Sequence, residues 1–132
     1  MKTILFALRV SDLARSLEFY RTVGYTELTT VPFDNGSSLV WLKLPGESSV
    51  SLELVHKPTA GPVEPGGFEH FAIEVDSLDA TLSRLTAAGL EPGAVEHPGG
   101  PDGPNTSWLT DPDGYRIELV EWPADGPPAV AR

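Results

Sequence analysis

The sequence predicts an α+β fold in which one βαβββ module occurs twice. Residues 1–57 carry the signals of a strand, a helix and three strands, and residues 68–122 carry them again in the same order. The two stretches align without a gap at their informative positions when 65 is added to the residue number. Residues 58–67 are rich in proline and glycine, which is typical of a linker. We therefore predict a single domain of two modules, followed by a flexible tail over 123–132.

The first module begins with a strand and continues into an amphipathic helix. Ser11 and Asp12 are candidate N-cap residues, because their side chains can accept hydrogen bonds from the first free helical N–H groups. Leu17 and Tyr20 follow at helical spacing, and Gly24 ends the helix. The predicted strands of this module are 3–10, 26–33, 38–44 and 50–56.

The second module shows the same succession of elements. Leu78, Leu82 and Leu85 lie on one face of a helix predicted for 77–88, and Gly89 ends it. The predicted strands are 70–75, 94–97, 107–110 and 115–121, with a Gly/Pro-rich loop before the third of them.

Composition limits the partners that this chain can have. The 132 residues carry a net charge of −10, which disfavours nucleic acids and anionic membranes as non-specific partners. No cysteine is present, so disulfides and thiolate chemistry are excluded. The apolar run near Met1 is too short for a signal sequence or a membrane span. We expect a small-molecule partner and a cytoplasmic location.

One carboxylate stands out in the last predicted strand. The turn Asp111-Pro112-Asp113-Gly114 favours a hairpin, and Glu118 follows it between apolar neighbours. The 65-residue shift places Glu53 at the equivalent position of the first module, also between apolar residues. A carboxylate in such a setting requires a cation, a hydrogen bond or a shared proton.

These two carboxylates and one histidine predict a metal site. Glu53, His70 and Glu118 would supply an O,O,N donor set that suits a divalent ion and leaves positions open for water or for a substrate with two oxygens. In the alternative interpretation, each glutamate lies on a solvated sheet face and His70 binds a backbone carbonyl. The same shift places Leu5 on His70, so one partner of a histidine pair is missing.

Other candidate residues have weaker signals. Trp41, Trp108 and Phe33 either line a cleft or belong to the core. Arg9 and Arg116 either steady an anionic ligand or pair with surface acids. His56 ends a strand and His97 lies in a loop, and we expect both to face solvent.

Three stretches together resemble the vicinal oxygen chelate superfamily, which comprises glyoxalase, bleomycin-resistance and extradiol-dioxygenase proteins. The resemblance covers about residues 3 to 122 and is greatest to the glyoxalase I, or lactoylglutathione lyase, family. The stretches are the opening Leu8-Arg9-Val10-Ser11-Asp12-Leu13 to Phe19-Tyr20, the strand Glu69-His70-Phe71-Ala72, and Asp111-Pro112-Asp113-Gly114-Tyr115-Arg116-Ile117-Glu118-Leu119.

The resemblance implies a fold, a site and an assembly. Paired modules would curl a mixed sheet into a cup around a metal, within one chain or across a homodimer. Glu53, His70 and Glu118 fall on three of the family's four metal ligands, and the fourth falls on Leu5. Arg9 matches one glutathione contact of the family, whereas two others fall on Lys57 and Gly66.

The resemblance implies two functions that differ in class. The first is a metal-dependent lyase or isomerase that uses Ni²⁺ or Zn²⁺ and acts on a small vicinal-oxygen metabolite through an enediolate. In it Glu118 is the expected general base, Glu53 is the second catalytic carboxylate, and Arg9, Lys57, Trp41 and Trp108 are the expected substrate contacts. The second is a metal-free protein, similar to the bleomycin-resistance proteins, that sequesters a drug or metabolite in the cleft.

Overall fold

The computed structural model describes residues 1–128, which form two compact units. The first unit runs from Met1 to Pro65, and the second begins at Gly66. The elements are, in chain order, β1 (Phe6–Val10), α1 (Leu13–Val23), β2 (Thr26–Pro32), β3 (Ser38–Lys43), β4 (Leu52–His56), β5 (Phe71–Glu74), α2 (Leu78–Ala87), β6 (Asn105–Thr110) and β7 (Arg116–Glu121).

The first unit is a four-stranded sheet with one helix. Its strand order is β1-β4-β3-β2, where β1 and β4 are parallel and the other pairs are antiparallel. Helix α1 begins after Asp12, whose carboxylate accepts a hydrogen bond from the backbone N–H of Arg15, and it ends at Gly24 with a φ of 136°. Both predicted helix ends are therefore confirmed. The mixed sheet and the α+β class are confirmed as well.

The second unit is a three-stranded sheet with one helix. Its order is β5-β7-β6, again with one parallel and one antiparallel pair. Ser77 caps α2 by accepting a hydrogen bond from the backbone N–H of Ala80. Glu121, at the end of β7, accepts a further hydrogen bond from the N–H of Leu78 at 2.6 Å. The negative carboxylate thus lies at the positive end of the helix dipole, where it stabilises the first turn.

The parallel strand pairs of the two units have the same register. Ala7 pairs with Glu53 in the first unit, and Ala72 pairs with Glu118 in the second. Adding 65 to both members of the first pair gives the second pair, and the same arithmetic holds for the flanking pairs. The repeat seen in the sequence is therefore a repeat of backbone hydrogen bonding.

The strand predicted for 94–97 is wrong in its extent. Only an isolated bridge between Glu96 and Thr106 forms there, with one further backbone hydrogen bond from Gly93 to the carbonyl of Trp108. Pro92 and Pro98 flank the segment, and proline has no N–H to donate to a sheet. The apolar pattern was sufficient to place the segment beside β6, but too few donors remained to extend the pairing.

The predicted linker contains one short helical turn that its proline- and glycine-rich composition does not indicate. Pro58–Ala60 form one 3-10 turn, in which the N–H of Ala60 donates to the carbonyl of Lys57. Proline is tolerated at the first helical position because the N–H of that position has no partner within the helix. In the tail, residues 123–128 carry no helix or strand, and 129–132 lie outside the described residues.

Each unit buries one face of its sheet beneath its helix. In the first unit Leu8, Leu42, Leu52 and Leu54 are almost fully buried, and α1 packs on β4 with Tyr20 completely enclosed. In the second unit Ile117 and Leu119 are buried, and α2 packs on β6 and β7 with Leu85 enclosed. Since side chains alternate along a strand, Glu53 and Glu118 point to the opposite face of each sheet. Within residues 1–128, no helix is long and apolar enough to cross a membrane.

Burial of Tyr25 makes the stability of the folded protein depend on pH. Burial raises the pKa of its hydroxyl above the ordinary value of 10.0, and the nearby Glu47 carboxylate adds to the rise. The folded chain then holds this proton more tightly than the unfolded chain does. The contribution of the protonated Tyr25 hydroxyl to folding stability is therefore fully present below pH 10.0 and is lost as the pH rises above that value.

We expect Tyr25→Phe to make the free energy of unfolding fall less steeply above pH 10.0 than it falls in the wild type. Urea unfolding of both proteins on either side of that pH measures the difference. Parallel pH profiles for the two proteins would contradict the prediction.

Candidate functional site

Glu53 lies on the open face of the first sheet. Its strand neighbours Leu52 and Leu54 are buried beneath α1, while Glu53 itself is half-buried. Directly across on β3 is Trp41, whose indole Nε1 donates a hydrogen bond to Oε1 of Glu53 at 3.0 Å. The carboxylate therefore has one oxygen held by the indole.

Glu118 has the equivalent place in the second sheet. It lies on β7 between the buried Ile117 and Leu119 and is half-buried itself. Its register partner on β6 is Trp108. Both glutamates are on strands with neighbours on each side, since β4 lies between β1 and β3 and β7 lies between β5 and β6. Each thus has an alanine on its parallel side and a tryptophan on its antiparallel side.

The tryptophan–glutamate repeat was missed by the sequence comparison. Trp41 and Trp108 are 67 positions apart, while Glu53 and Glu118 are 65 apart, so a constant shift does not align the indoles. The reason is the hairpin between the strands. Twelve positions separate Trp41 from Glu53 and ten separate Trp108 from Glu118, so the second loop is two residues shorter. Separate alignment of each hairpin about its own turn would have revealed the pair.

His70 touches the indole that faces Glu118. Its ring lies edge-on to Trp108 with 4.8 Å between the ring centroids. Nδ1 of His70 is buried and has no hydrogen-bond partner. The carboxylate of Glu69 is 3.7 Å from that nitrogen, which is close enough for an ion pair but too long for a hydrogen bond. A buried nitrogen without a partner costs about 1–3 kcal/mol, which a bound ligand would recover.

Arg116 also contacts Trp108, the tryptophan that His70 contacts. Its guanidinium carbon lies 4.1 Å from the centroid of the Trp108 ring, which is cation–π geometry. The side chain is exposed, and it is two residues before Glu118 on the same strand face. His70, Trp108, Arg116 and Glu118 therefore share one face of one unit.

Two of the predicted substrate contacts have other surroundings. The guanidinium of Arg9 donates to the carbonyl oxygens of Gly61 at 2.9 Å and Pro62 at 3.3 Å, so it ties the linker to β1. Lys57 is exposed at the start of the 3-10 turn. His97 is exposed, as predicted, and its Nδ1 is 2.8 Å from Oδ1 of Asn105. His56 was expected to face solvent as well, but it is half-buried at the end of β4.

Besides Glu53, the first unit carries several large apolar side chains that are not buried in its core. Trp41 is 37% exposed and Phe33 is 49% exposed, so neither belongs to the core. Val31 lies on the neighbouring strand with the same orientation and is 36% exposed. Leu5, just before β1, is half-buried and apolar. These surroundings suit an organic ligand better than bulk water.

The predicted metal ligands fall on different units. Glu53 belongs to the first unit, and His70 and Glu118 belong to the second. Within residues 1–128 the structure brings together no group of three or more His, Cys, Asp or Glu that could hold a metal ion. The donor chemistry nevertheless fits one, because the unpaired Nδ1 of His70 and two half-buried carboxylates are the ligand types that Ni²⁺ and Zn²⁺ accept.

Comparisons with known proteins agree with this fold. The lactoylglutathione lyase of Haemophilus influenzae is 36% identical over 121 residues, covering 86% of this chain and 87% of that protein. That of Neisseria meningitidis is 31% identical, covering 92% and 91%. Both relatives are lyases by name, which supports the interpretation of this chain as an enzyme.

Solved structures include both an enzyme and a binding protein. Glyoxalase I of Leishmania major superposes with a TM-score of 0.72 at 25% identity, covering 92% of this chain and 86% of that one. An antibiotic binding protein from a Streptomyces species has the same TM-score and identity, covering 93% and 98%. A family model described as the Glyoxalase/Bleomycin resistance protein/Dioxygenase superfamily matches residues 4–119. The chain therefore belongs to the glyoxalase/bleomycin resistance protein/dioxygenase superfamily.

Proposed function

We propose that this protein is a metal-dependent lyase or isomerase that acts on a small metabolite with two adjacent oxygens. The observation that carries the proposal is the pair of glutamates at equivalent register, one of which pairs across the sheet with a tryptophan that contacts His70, whose buried Nδ1 lacks a hydrogen-bond partner. The names of the lactoylglutathione lyases support the reaction class. We also propose that the protein is a homodimer in the cytoplasm. Its net charge of −10 disfavours nucleic acid as a partner.

The proposed ligands are Glu53, His70 and Glu118, from one chain or from two copies of it. A bound Ni²⁺ or Zn²⁺ would polarise two adjacent substrate oxygens and so make the neighbouring C–H more acidic. The fourth position of the family pattern is Leu5, which offers no donor. Three protein ligands leave room for water and substrate, which is the arrangement of catalytic rather than structural sites.

The two glutamates have different roles in this proposal. One oxygen of Glu53 already accepts a hydrogen bond from the Trp41 N–H, which fixes the orientation of the carboxylate. This suits Glu53 to the role of a metal ligand. Glu118 takes a proton from the hydroxyl-bearing carbon next to the carbonyl, leaving an enediolate, and returns it to the former carbonyl carbon, while the hydroxyl proton passes to the other oxygen. The proton leaves one carbon and arrives at its neighbour, so the product is an isomer and no external oxidant or reductant is consumed.

Metal analysis of protein purified without chelators tests this proposal. We expect stoichiometric Ni or Zn in the wild type and its loss in His70→Ala and Glu118→Ala, since each variant removes a ligand. Glu74→Ala is the matched control, because Glu74 is an exposed carboxylate on β5 of the same unit. A wild-type chain that stays metal-free when offered these ions would refute the metal-dependent mechanism.

A second candidate is a binding protein that sequesters a drug or metabolite. The exposed Trp41 and Phe33, the apolar Leu5 and the antibiotic binding protein among the structural neighbours favour it. Equilibrium binding of bleomycin in the presence of a chelator distinguishes the candidates. Stoichiometric binding that Trp41→Ala abolishes, with no metal in the protein, would support the binder.

A further inference from the structure

Arg116 contacts an aromatic ring, although a cation in so acidic a chain would be expected to pair with a carboxylate. The sequence has 19 acidic residues against 9 basic ones, so an exposed arginine has many carboxylates to pair with. Among residues 1–128, the ion pairs of the structure do not include Arg116. Its guanidinium instead lies over the Trp108 ring at 4.1 Å, although Glu118 is two residues away on the same face.

This contact orients the guanidinium and leaves its polar edge free. The indole holds the flat face of the group by cation–π attraction, while the N–H groups lie in the guanidinium plane. Those donors form a fork that matches the two oxygens of a carboxylate. Stacking reduces the side-chain freedom that binding would otherwise have to remove. Arg116 is thus preorganised for a planar anion.

The position of Arg116 connects it to the proposed chemistry. Residues two apart on a strand are separated by about 7 Å, which is the length of a small dicarboxylic acid. A substrate with its reactive carbon at Glu118 would therefore have its far end at Arg116. The negative Glu118 and the net charge of −10 both disfavour anions, so a fixed cation is needed if an acid is to bind there.

We propose that Arg116, held on Trp108, binds a carboxylate of the substrate, so that the substrate is a small acid carrying this group beside its pair of adjacent oxygens. Arg116 is then a specificity-determining residue. The inference rests on the proposed function, because it takes Glu118 as the reactive end of the site. It adds a substrate class that the lyase or isomerase reaction alone does not specify.

Calorimetry with two probes tests the inference without turnover. The probes are 2-oxoglutarate and 2-oxopentanoate, which share the adjacent oxygens of a 2-oxo acid and differ in the distal carboxylate. We expect the wild type to bind 2-oxoglutarate at least about tenfold more tightly, because a charge-assisted pair of hydrogen bonds is gained. Arg116→Gln should remove that preference. Arg84→Gln, which removes an exposed arginine on α2 of the same unit, should retain it.

Two further variants separate positioning from charge. Arg116→Lys keeps the charge and loses the planar fork, so we expect a reduced preference. Trp108→Leu keeps the arginine and removes the ring beneath it, so we expect a reduction there as well. Equal binding of both probes by the wild type would overturn the inference, and so would a preference that survives in Arg116→Gln.

The inference and the proposed function fail in different ways. A preference for 2-oxoglutarate that depends on Arg116, in a chain that never takes up a metal, would refute the metal-dependent mechanism and leave the carboxylate site standing. Metal uptake that depends on Glu118 and His70, together with equal binding of the two probes, would refute the carboxylate site alone.

Discussion

Replacing Glu118 by glutamine is expected to lower turnover by about 10²–10⁴-fold, which is the usual contribution of a positioned general base. Glutamine has nearly the same shape, so the strand register with Trp108 and Ala72 should persist. What it cannot do is accept the substrate proton. Loss of proton exchange at the carbon next to the substrate carbonyl, followed by NMR in deuterated solvent, measures that step directly. The substrate is whichever compound the wild type turns over.

Glu74→Gln is the control for this result. Glu74 is exposed on β5 and pairs in register with Val120, so its replacement removes an equal charge from the same unit. We expect its exchange rate to equal that of the wild type. Exchange that persists unchanged in Glu118→Gln would mean that the base lies elsewhere. Metal content measured on the same samples separates a lost base from a lost ligand.

Asp111→Ala is expected to destabilise the protein by about 2–5 kcal/mol, because two N–H donors lose one shared acceptor. Oδ1 of Asp111 accepts from the backbone N–H of Asp113 at 2.8 Å and from that of Tyr115 at 3.0 Å. Asp111 is only 4% exposed, so water cannot easily replace the carboxylate. Urea denaturation of the variant and the wild type measures the change in the free energy of unfolding.

Asp111→Asn provides the matched comparison, since an amide oxygen can still accept both hydrogen bonds. We expect it to lose clearly less stability than the alanine variant. Equal losses in the two variants would assign the effect to the charge of Asp111 rather than to its role as an acceptor. An alanine variant as stable as the wild type would show that the turn does not need this carboxylate, because the backbone hydrogen bonds of Asp111 with Gly114 and Tyr115 are sufficient.

The fold was predictable because the sequence signals are local. Asp12 and Ser77 cap their helices as their side chains suggest, and Gly24 ends α1 with a positive φ that other residues rarely adopt. The repeat then fixed the equivalence of Glu53 and Glu118 without any knowledge of three-dimensional structure, since parallel register is the same in both units.

What escaped prediction depends on contacts between distant segments. Nothing in the local sequence of Arg9 shows that its guanidinium reaches the carbonyls of Gly61 and Pro62. The indole partner of each glutamate depends on the length of a hairpin loop, which a constant shift ignores. The pairing of 94–97 depended on donors that the flanking prolines removed.

The interior position of β4 and β7 has a consequence for how such a protein can change. Each proposed catalytic carboxylate is carried by a strand with hydrogen-bonded neighbours on both sides, where local opening is least frequent. The edges of the sheets and the connecting loops can therefore gain, lose or exchange residues while the carboxylates stay in place. The loop of the first hairpin, between β3 and β4, is already two residues longer than the loop of the second hairpin, between β6 and β7. One reactive centre can in this way be presented to many different ligands through changes at the periphery alone.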